Sequence, residues 1–146
     1  MTSQLTRQDV REEGAGARKY TYVIDTYAWV EYFRKSPLAD KVENILEAGD
    51  CFTPAIVVAE LKTKFLRDNL DFSQALNFIE ARTPIASLNK TLAVSAGEIN
   101  FKRKSTNQHW GLADSIVLAA ARELNAKVVT GDEDFRDLAD EVVMLE

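Results

Sequence analysis

Apolar residues recur along this chain in two alternating patterns: short unbroken runs, and stripes at three- to four-residue spacing. Tyr20-Thr21-Tyr22-Val23-Ile24, β-branched and aromatic, predicts a first strand. Thr26 to Phe33 places Trp29, Val30 and Phe33 at helical spacing. Ser36-Pro37 reads as a cap with proline at the first helical position, and Leu38, Val42, Ile45 and Leu46 as the stripe of a helix that Gly49 ends. Cys51-Phe52 predicts a short second strand. Thr53-Pro54 repeats the cap-and-proline signal ahead of Val57, Val58, Leu61 and Phe65. Asp71 to Ala81 predicts a helix with Ala75, Leu76 and Ile79 inward; Ile85 to Leu88 predicts a third strand. Asn89 caps a helix carrying Leu92, Ala96 and Ile99, and Gly111 opens an alanine-rich helix from Leu112 to Leu124. Lys127 to Thr130 and Val142 to Leu145 are strands four and five.

Short strands alternating with helices imply an α/β fold, with a short parallel β-sheet of about five strands and helices on both faces. Open parallel sheets bind ligands off the carboxyl ends of their strands, where the strand order reverses. The residues that follow the strands are acidic. Asp25 directly follows strand one, and Asp132 and Asp134 follow strand four. Glu60 lies two turns into the helix after strand two, and Asp114 in the first turn of the helix before strand four. If strands one and four are neighbours, these side chains converge. Crowded carboxylates either hold protons at raised pKa or bind a hard cation, and Mg²⁺ and Mn²⁺ take such oxygen ligands. The pattern therefore points to a metal-dependent phosphodiesterase.

Each acid also has a purely structural role open to it. Asp25 can cap the following helix, Asp114 can complement a helix dipole, Glu60 can pair with Lys64, and Asp132 and Asp134 can serve as loop and cap residues. Glu60 and Asp114 stand among largely apolar or alanine-rich helix residues, which favours the site reading. The joint placement of all five favours it further.

Composition narrows the class. With 146 residues, 46% hydrophobic, the chain has material for one domain with a substantial core. Residues 1–19 are rich in mixed charge and poor in apolar periodicity, so they read as a flexible N-terminal tail ahead of a single domain over 20–146. No apolar run approaches the roughly 18 residues of a membrane span, and the first residues lack a signal-peptide core. One cysteine, Cys51, excludes an internal disulfide framework and a cysteine-based zinc site, and a cytoplasmic location is expected. The net charge of −5 argues against non-specific duplex coating, so nucleic-acid contact must come from local basic patches or through metal ions.

The residues resemble a known family. Tyr22-Val23-Ile24-Asp25-Thr26, Ala59-Glu60-Leu61, Leu112 to Ala121 with Asp114, and Val129-Thr130-Gly131-Asp132-Glu133-Asp134-Phe135 together resemble a PIN domain, most closely the toxin ribonucleases of VapBC toxin–antitoxin systems. The order and spacing cover residues 21–146. The resemblance implies a PIN-like three-layer fold and Mg²⁺- or Mn²⁺-dependent endoribonuclease activity. It carries catalytic and metal-binding roles onto Asp25, Glu60, Asp114 and Asp132. Asp134 falls where some members have a further acid, Thr130 matches a hydroxyl residue near the site, and Thr26 is a supporting residue. It also implies a homodimer, a cognate antitoxin and, as mechanism, in-line attack of an activated water on RNA giving 5′-phosphate and 3′-hydroxyl ends. The segment before strand one is longer than the resemblance leads one to expect.

Two basic groups are candidate RNA contacts: Lys62, Lys64 and Arg67 on the helix of Glu60, and the run Lys102-Arg103-Lys104. Both also read as ordinary solvated surface. Trp110 reads as core in preference to a base-stacking platform, His109 as a loop hydrogen-bonding group, Cys51 as a small buried residue, and Trp29, Tyr32 and Phe33 as core and dimer contact. With His109 the only histidine, a two-histidine ribonuclease is excluded. A receiver domain needs a lysine after its last strand, where this sequence has Glu146. A haloacid-dehalogenase-type phosphatase needs a second aspartate two residues after the first, where Tyr27 stands. A PIN nuclease of housekeeping RNA processing and a non-catalytic RNA-binding module remain as alternatives.

Overall fold

A computed structural model describes residues 20–146; the 1–19 tail lies outside the described residues. The elements run β1 (Thr21–Ile24), α1 (Thr26–Phe33), α2 (Ala39–Ala48), β2 (Asp50–Pro54), α3 (Ala55–Arg67), α4 (Ser73–Arg82), β3 (Ile85–Ala86), α5 (Lys90–Lys104), α6 (Leu112–Glu123), β4 (Lys127–Thr130) and β5 (Val142–Met144). Two 3-10 turns, Glu133–Phe135 and Ala139–Glu141, join β4 to β5. The sheet order is β3-β2-β1-β4-β5, with every pair parallel. The order reverses at β1 and β4, which are hydrogen-bonded neighbours, so the switch point falls where the sequence places its acids.

Successive strand residues point to opposite faces. Val23 and Ile24 are both fully buried, as are Val128 and Val129, so helices cover both faces of the sheet. The helices bury the predicted stripes: Val57 and Leu61 on α3, Ala75 and Ile79 on α4, Leu92, Ala96 and Ile99 on α5, and Ser115 through Ala121 on α6. The Asn89 side chain accepts the Leu92 N–H at 2.9 Å and caps α5 as expected. Among the described residues no helix is long and apolar enough to cross a membrane.

Several local expectations are corrected. The Ser36 hydroxyl accepts the Leu38 N–H at 3.1 Å, but α2 begins later, at Ala39. The helix does end at Gly49, its C-cap, as expected, though at φ −119° and so outside the left-handed region; the Tyr22 ring and the Tyr20 carbonyl lie where its Cβ would stand. Strand three is only Ile85–Ala86, and β5 ends at Met144, although the Leu145 N–H still donates to the Thr130 carbonyl at 2.8 Å.

Thr53 does not cap α3. Strand β2 continues through Pro54, and the Thr53 hydroxyl is committed to the core. The indole Nε1 of Trp29 donates to Thr53 Oγ1 (3.1 Å), and Thr53 pairs with Thr83 Oγ1 (2.7 Å), which in turn donates to the Ile79 carbonyl (3.0 Å). With the Thr83 proton committed to Ile79, Thr53 must donate to Thr83. This relay joins α1, β2 and α4 beneath an aromatic cluster of Trp29, Tyr32, Phe33, Phe65 and Phe78. Trp29 is therefore core, while Tyr32 and Phe33 are only partly buried. Thr53→Val would leave the buried Trp29 indole N–H without its acceptor and Thr83 with only its bond to Ile79, and should cost about 1–3 kcal/mol, measured by urea denaturation against Thr63→Val, whose hydroxyl is exposed.

Candidate active site

The register of β1 on β4 builds the centre of the site. Ile24 pairs with Val129, and the Asp25 N–H donates to the Val129 carbonyl at 3.1 Å, extending the ladder one residue beyond β1. Asp25 thus stands beside Thr130, whose fully buried hydroxyl donates to Asp25 Oδ2 at 2.8 Å. The same hydroxyl oxygen accepts the Asp132 N–H at 3.1 Å, tying the loop after β4 to Asp25. Asp25 occupies the cap position of α1 but makes no side-chain cap bond there, and it is only 5% exposed.

The other acids are held in the same manner, each by one local donor. Thr26 Oγ1 donates to Glu60 Oε1 at 2.5 Å, and the Gly111 N–H donates to Asp114 Oδ2 at 3.0 Å. Asp132 Oδ1 caps the 3-10 turn through the Asp134 N–H at 2.9 Å, and Asn107 Nδ2 donates to Asp134 Oδ1 at 3.2 Å. The capping roles of Asp114 and Asp132 are thus real, yet one donor fills one of about four acceptor positions on a carboxylate. Glu60 is exposed rather than set on an apolar surface, and no Glu60–Lys64 ion pair forms among the described residues.

Asp25, Thr26, Glu60, Asp114 and Asp132 line one cavity of about 630 Å³. Carboxylate oxygens of Asp114, Asp132 and Asp134 lie within 4.8 Å of one another. Asp114 and Asp132 belong to both groups, whereas Asp134 lies outside the cavity lining. Burial, and to a lesser degree the charges of Asp114 and Glu60, push Asp25 up to about 7 against the pull of the Thr130 hydrogen bond. Asp114 is pushed up to about 6 by burial and by Asp132, Glu60 and Asp134, with the Gly111 N–H opposing. Clustered oxygen donors with lone pairs to spare and depressed acidity suit a hard divalent cation.

A domain model described as "PIN domain" matches residues 22–141. The chain belongs to the PIN domain family. PIN domains are nucleases, and the acidic cavity of this one lies at the sheet's switch point. No curated protein matches the sequence. Among solved structures, this PIN domain is similar to VapBC2 of Rickettsia felis bound to a promoter DNA fragment, with TM-score 0.70, 19% identity, and 86% of this chain and 99% of that one covered. It is also similar to VapBC-1 of nontypeable Haemophilus influenzae (0.65, 21%, 85% and 97%). A third similar structure is VapC20 of Mycobacterium tuberculosis, a Sarcin-Ricin loop cleaving toxin (0.64, 14%, 80% and 94%). At these identities the likeness is one of fold.

The basic candidates separate in space. Lys64 and Arg67 line the cavity, while Lys62 faces a different depression beside Asp71. Lys102, Arg103 and Lys104 lie outside the cavity lining: Lys102 and Lys104 are exposed, and the Arg103 guanidinium turns inward. Trp110 is fully buried, with its Nε1 donating to Ser115 Oγ at 2.6 Å, which rules out base stacking in this conformation. His109 is an exposed loop residue. Five lining residues, Tyr27, Val30, Glu31, Arg34 and Thr63, were not predicted as site residues. Arg34 closes α1 and faces the cavity beside Lys64. Tyr27 covers Gly131, where a Cβ would meet its ring. The Tyr27 position next to Thr26 was the one available signal.

The raised acids carry a stability cost with a defined pH window. A carboxyl whose folded pKa exceeds its unfolded value stabilises the fold below the unfolded pKa, here 3.8, and loses that contribution as pH rises through about 6 and 7. In EDTA, Asp25→Asn should therefore raise Tm by a few degrees at pH 8, with the gain shrinking toward pH 5. Equal gains at both pH values in calorimetric melts would show that Asp25 is not the source.

Proposed function

We propose that this PIN domain is a metal-dependent endoribonuclease that hydrolyses RNA phosphodiester bonds in the acidic cavity, and that it is the toxin of a type II toxin–antitoxin pair. The observation that carries the reading is the convergence of Asp25, Glu60, Asp114 and Asp132 on one cavity, with two of them held at raised pKa. Asp25, Glu60, Asp114, Asp132 and Asp134 would hold Mg²⁺ or Mn²⁺, and the carboxylate oxygens of Asp114, Asp132 and Asp134, within 4.8 Å of one another, support that reading. A bound divalent cation supplies an activated water and neutralises charge on the phosphoryl oxygens.

The chain's own residues supply orientation. Thr130 fixes Asp25 and, through its oxygen, the start of the Asp132 loop. Thr26 fixes Glu60, and the Gly111 N–H fixes Asp114. Such outer partners hold ligands in a productive arrangement. Arg34, Lys64 and Arg67 on the cavity wall contact phosphates flanking the scissile one, which lets an acidic domain hold a polyanion. Lys62, Lys102 and Lys104 are further phosphate contacts along a longer RNA.

The similar folds among VapBC complexes support a cognate antitoxin as partner and a cytoplasmic site of action. A homodimer, with the partly buried aromatic residues of α1 near its contact, completes the assembly we assign.

RNA cleavage should be seen with Mn²⁺ or Mg²⁺ and lost in EDTA. Asp25→Asn and Asp114→Asn should each lower the rate by about 100-fold or more, without unfolding the protein, in line with loss of metal catalysis. Product ends should be 5′-phosphate and 3′-hydroxyl; 2′,3′-cyclic phosphate ends would overturn the mechanism. Lys64→Glu should weaken RNA binding across sequences and reduce the salt slope by about one, measured by fluorescence anisotropy with Asp25→Asn protein.

A further inference from the structure

Arg103 belongs by sequence to an exposed-looking basic run, but its side chain is only 17% exposed and both of its Nη nitrogens are bonded within the protein. Nη1 and Nη2 donate to the two carboxylate oxygens of Asp137, at 3.1 and 2.9 Å. Nη2 also donates to the main-chain carbonyl of Asp134 at 3.0 Å. The guanidinium lies 4.0 Å from the centroid of the Trp110 ring, and that ring packs on Phe135 at 4.9 Å. Its Nε is buried with no acceptor, a cost that the paired and stacked contacts offset.

All these partners belong to, or pack on, the segment after β4 that carries Asp132 and Asp134. One helical turn beyond Arg103, Asn107 donates to Asp134 Oδ1 at 3.2 Å, and its own N–H bonds to the Arg103 carbonyl at 2.9 Å. The end of α5 therefore grips Asp134 twice, by its backbone carbonyl and by its carboxylate. Asp134 is in turn bonded through its N–H to Asp132 Oδ1, at 2.9 Å. Where Arg103 and Asn107 hold Asp134, they also set the Asp132 carboxylate. Asp132, Glu133, Asp134 and Asp137 put four acids into this short segment. Arg136 answers Glu133 locally, and Arg103 answers Asp137. The Asp134 carboxylate receives a neutral amide and forms no ion pair among the described residues.

We propose that Arg103, with Asn107, is a positioning clamp that holds Asp134 and, through it, Asp132 in the arrangement that binds the cation. The proposal rests on the metal-dependent reading of the site, and the test separates the two. Calorimetric titration of the full chain with Mn²⁺ compares the parent, Arg103→Lys, Asn107→Ala and Arg82→Lys, each shown folded by circular dichroism at the titration temperature. Arg82 is the matched control: it bonds Glu43 at 2.9 Å and lies over the Phe78 ring, in a pairing outside the acidic cavity. Arg103→Lys and Asn107→Ala should bind Mn²⁺ roughly 10–100-fold more weakly, with Arg82→Lys at the parent's affinity. If Arg103→Lys does not fold, Asn107→Ala decides alone. Parent-like affinity in the folded variants, or an equal loss in Arg82→Lys, would overturn the clamp while leaving the metal site intact. A parent that binds no Mn²⁺ would overturn the metal reading, and the clamp with it.

Discussion

The parallel pairing of β1 with β4 is the constraint on which the rest of this PIN domain depends. It places Asp25, one residue past the end of β1, beside Thr130 at the end of β4, and the ladder bond from the Asp25 N–H to Val129 holds that alignment. Strand register is all-or-none: a slip of one residue turns every side chain to the opposite face. Here such a slip would send the fully buried Val23, Ile24, Val128 and Val129 each into the packing layer of the opposite face and carry Asp25 away from Thr130. The fully buried valines and isoleucine of the two strands thus stabilise, by burial, the alignment that sets Asp25 beside Thr130.

Around that pairing, acids are brought together against their mutual repulsion. Asp25 and Asp114 hold raised pKa values because burial and neighbouring carboxylates oppose their charge, and the single donors at each acid orient without neutralising it. The cationic groups nearest the cavity, Arg34, Lys64 and Arg67, stand on its wall, and none forms an ion pair with the acids among the described residues. The arrangement lowers the stability of the metal-free protein at neutral pH. It also leaves carboxylate lone pairs to spare, and the remainder of the fold must offset the cost of crowding these acids. The helices that cover both faces provide that support, with the relay from Trp29 through Thr53 and Thr83 to Ile79 joining α1, β2 and α4.

Much of this was legible in the sequence because its signals are local. Strand β4, the Asn89 cap and the buried stripes of α5 and α6 follow from residue type and period, and the acids stand next to strand ends where an open parallel sheet binds ligands. What escaped depended on distant partners. Thr53-Pro54 carries a helix-cap signature, but Trp29 and Thr83 claim the hydroxyl for the core. Gly49 reads as a helix stop and is one, but the Tyr22 ring that leaves no room for a Cβ there appears only in the fold. In Lys102-Arg103-Lys104, composition cannot tell which of three cations turns inward, because Asp134 and Asp137 lie more than thirty residues further along the chain. Arg34 and Tyr27 join the cavity only once α1 is packed against α3 and β4.

The acids at the β1–β4 switch point are proposed to form a divalent-cation site. Its most direct test is anomalous diffraction at the manganese edge from crystals of the protein grown with Mn²⁺. An anomalous peak is expected within coordination distance, about 2.0–2.3 Å, of carboxylate oxygens from the cluster of Asp25, Glu60, Asp114, Asp132 and Asp134, and it should be absent in crystals of Asp25→Asn. A cavity without a peak at saturating Mn²⁺, or a peak held by other residues, would contradict it.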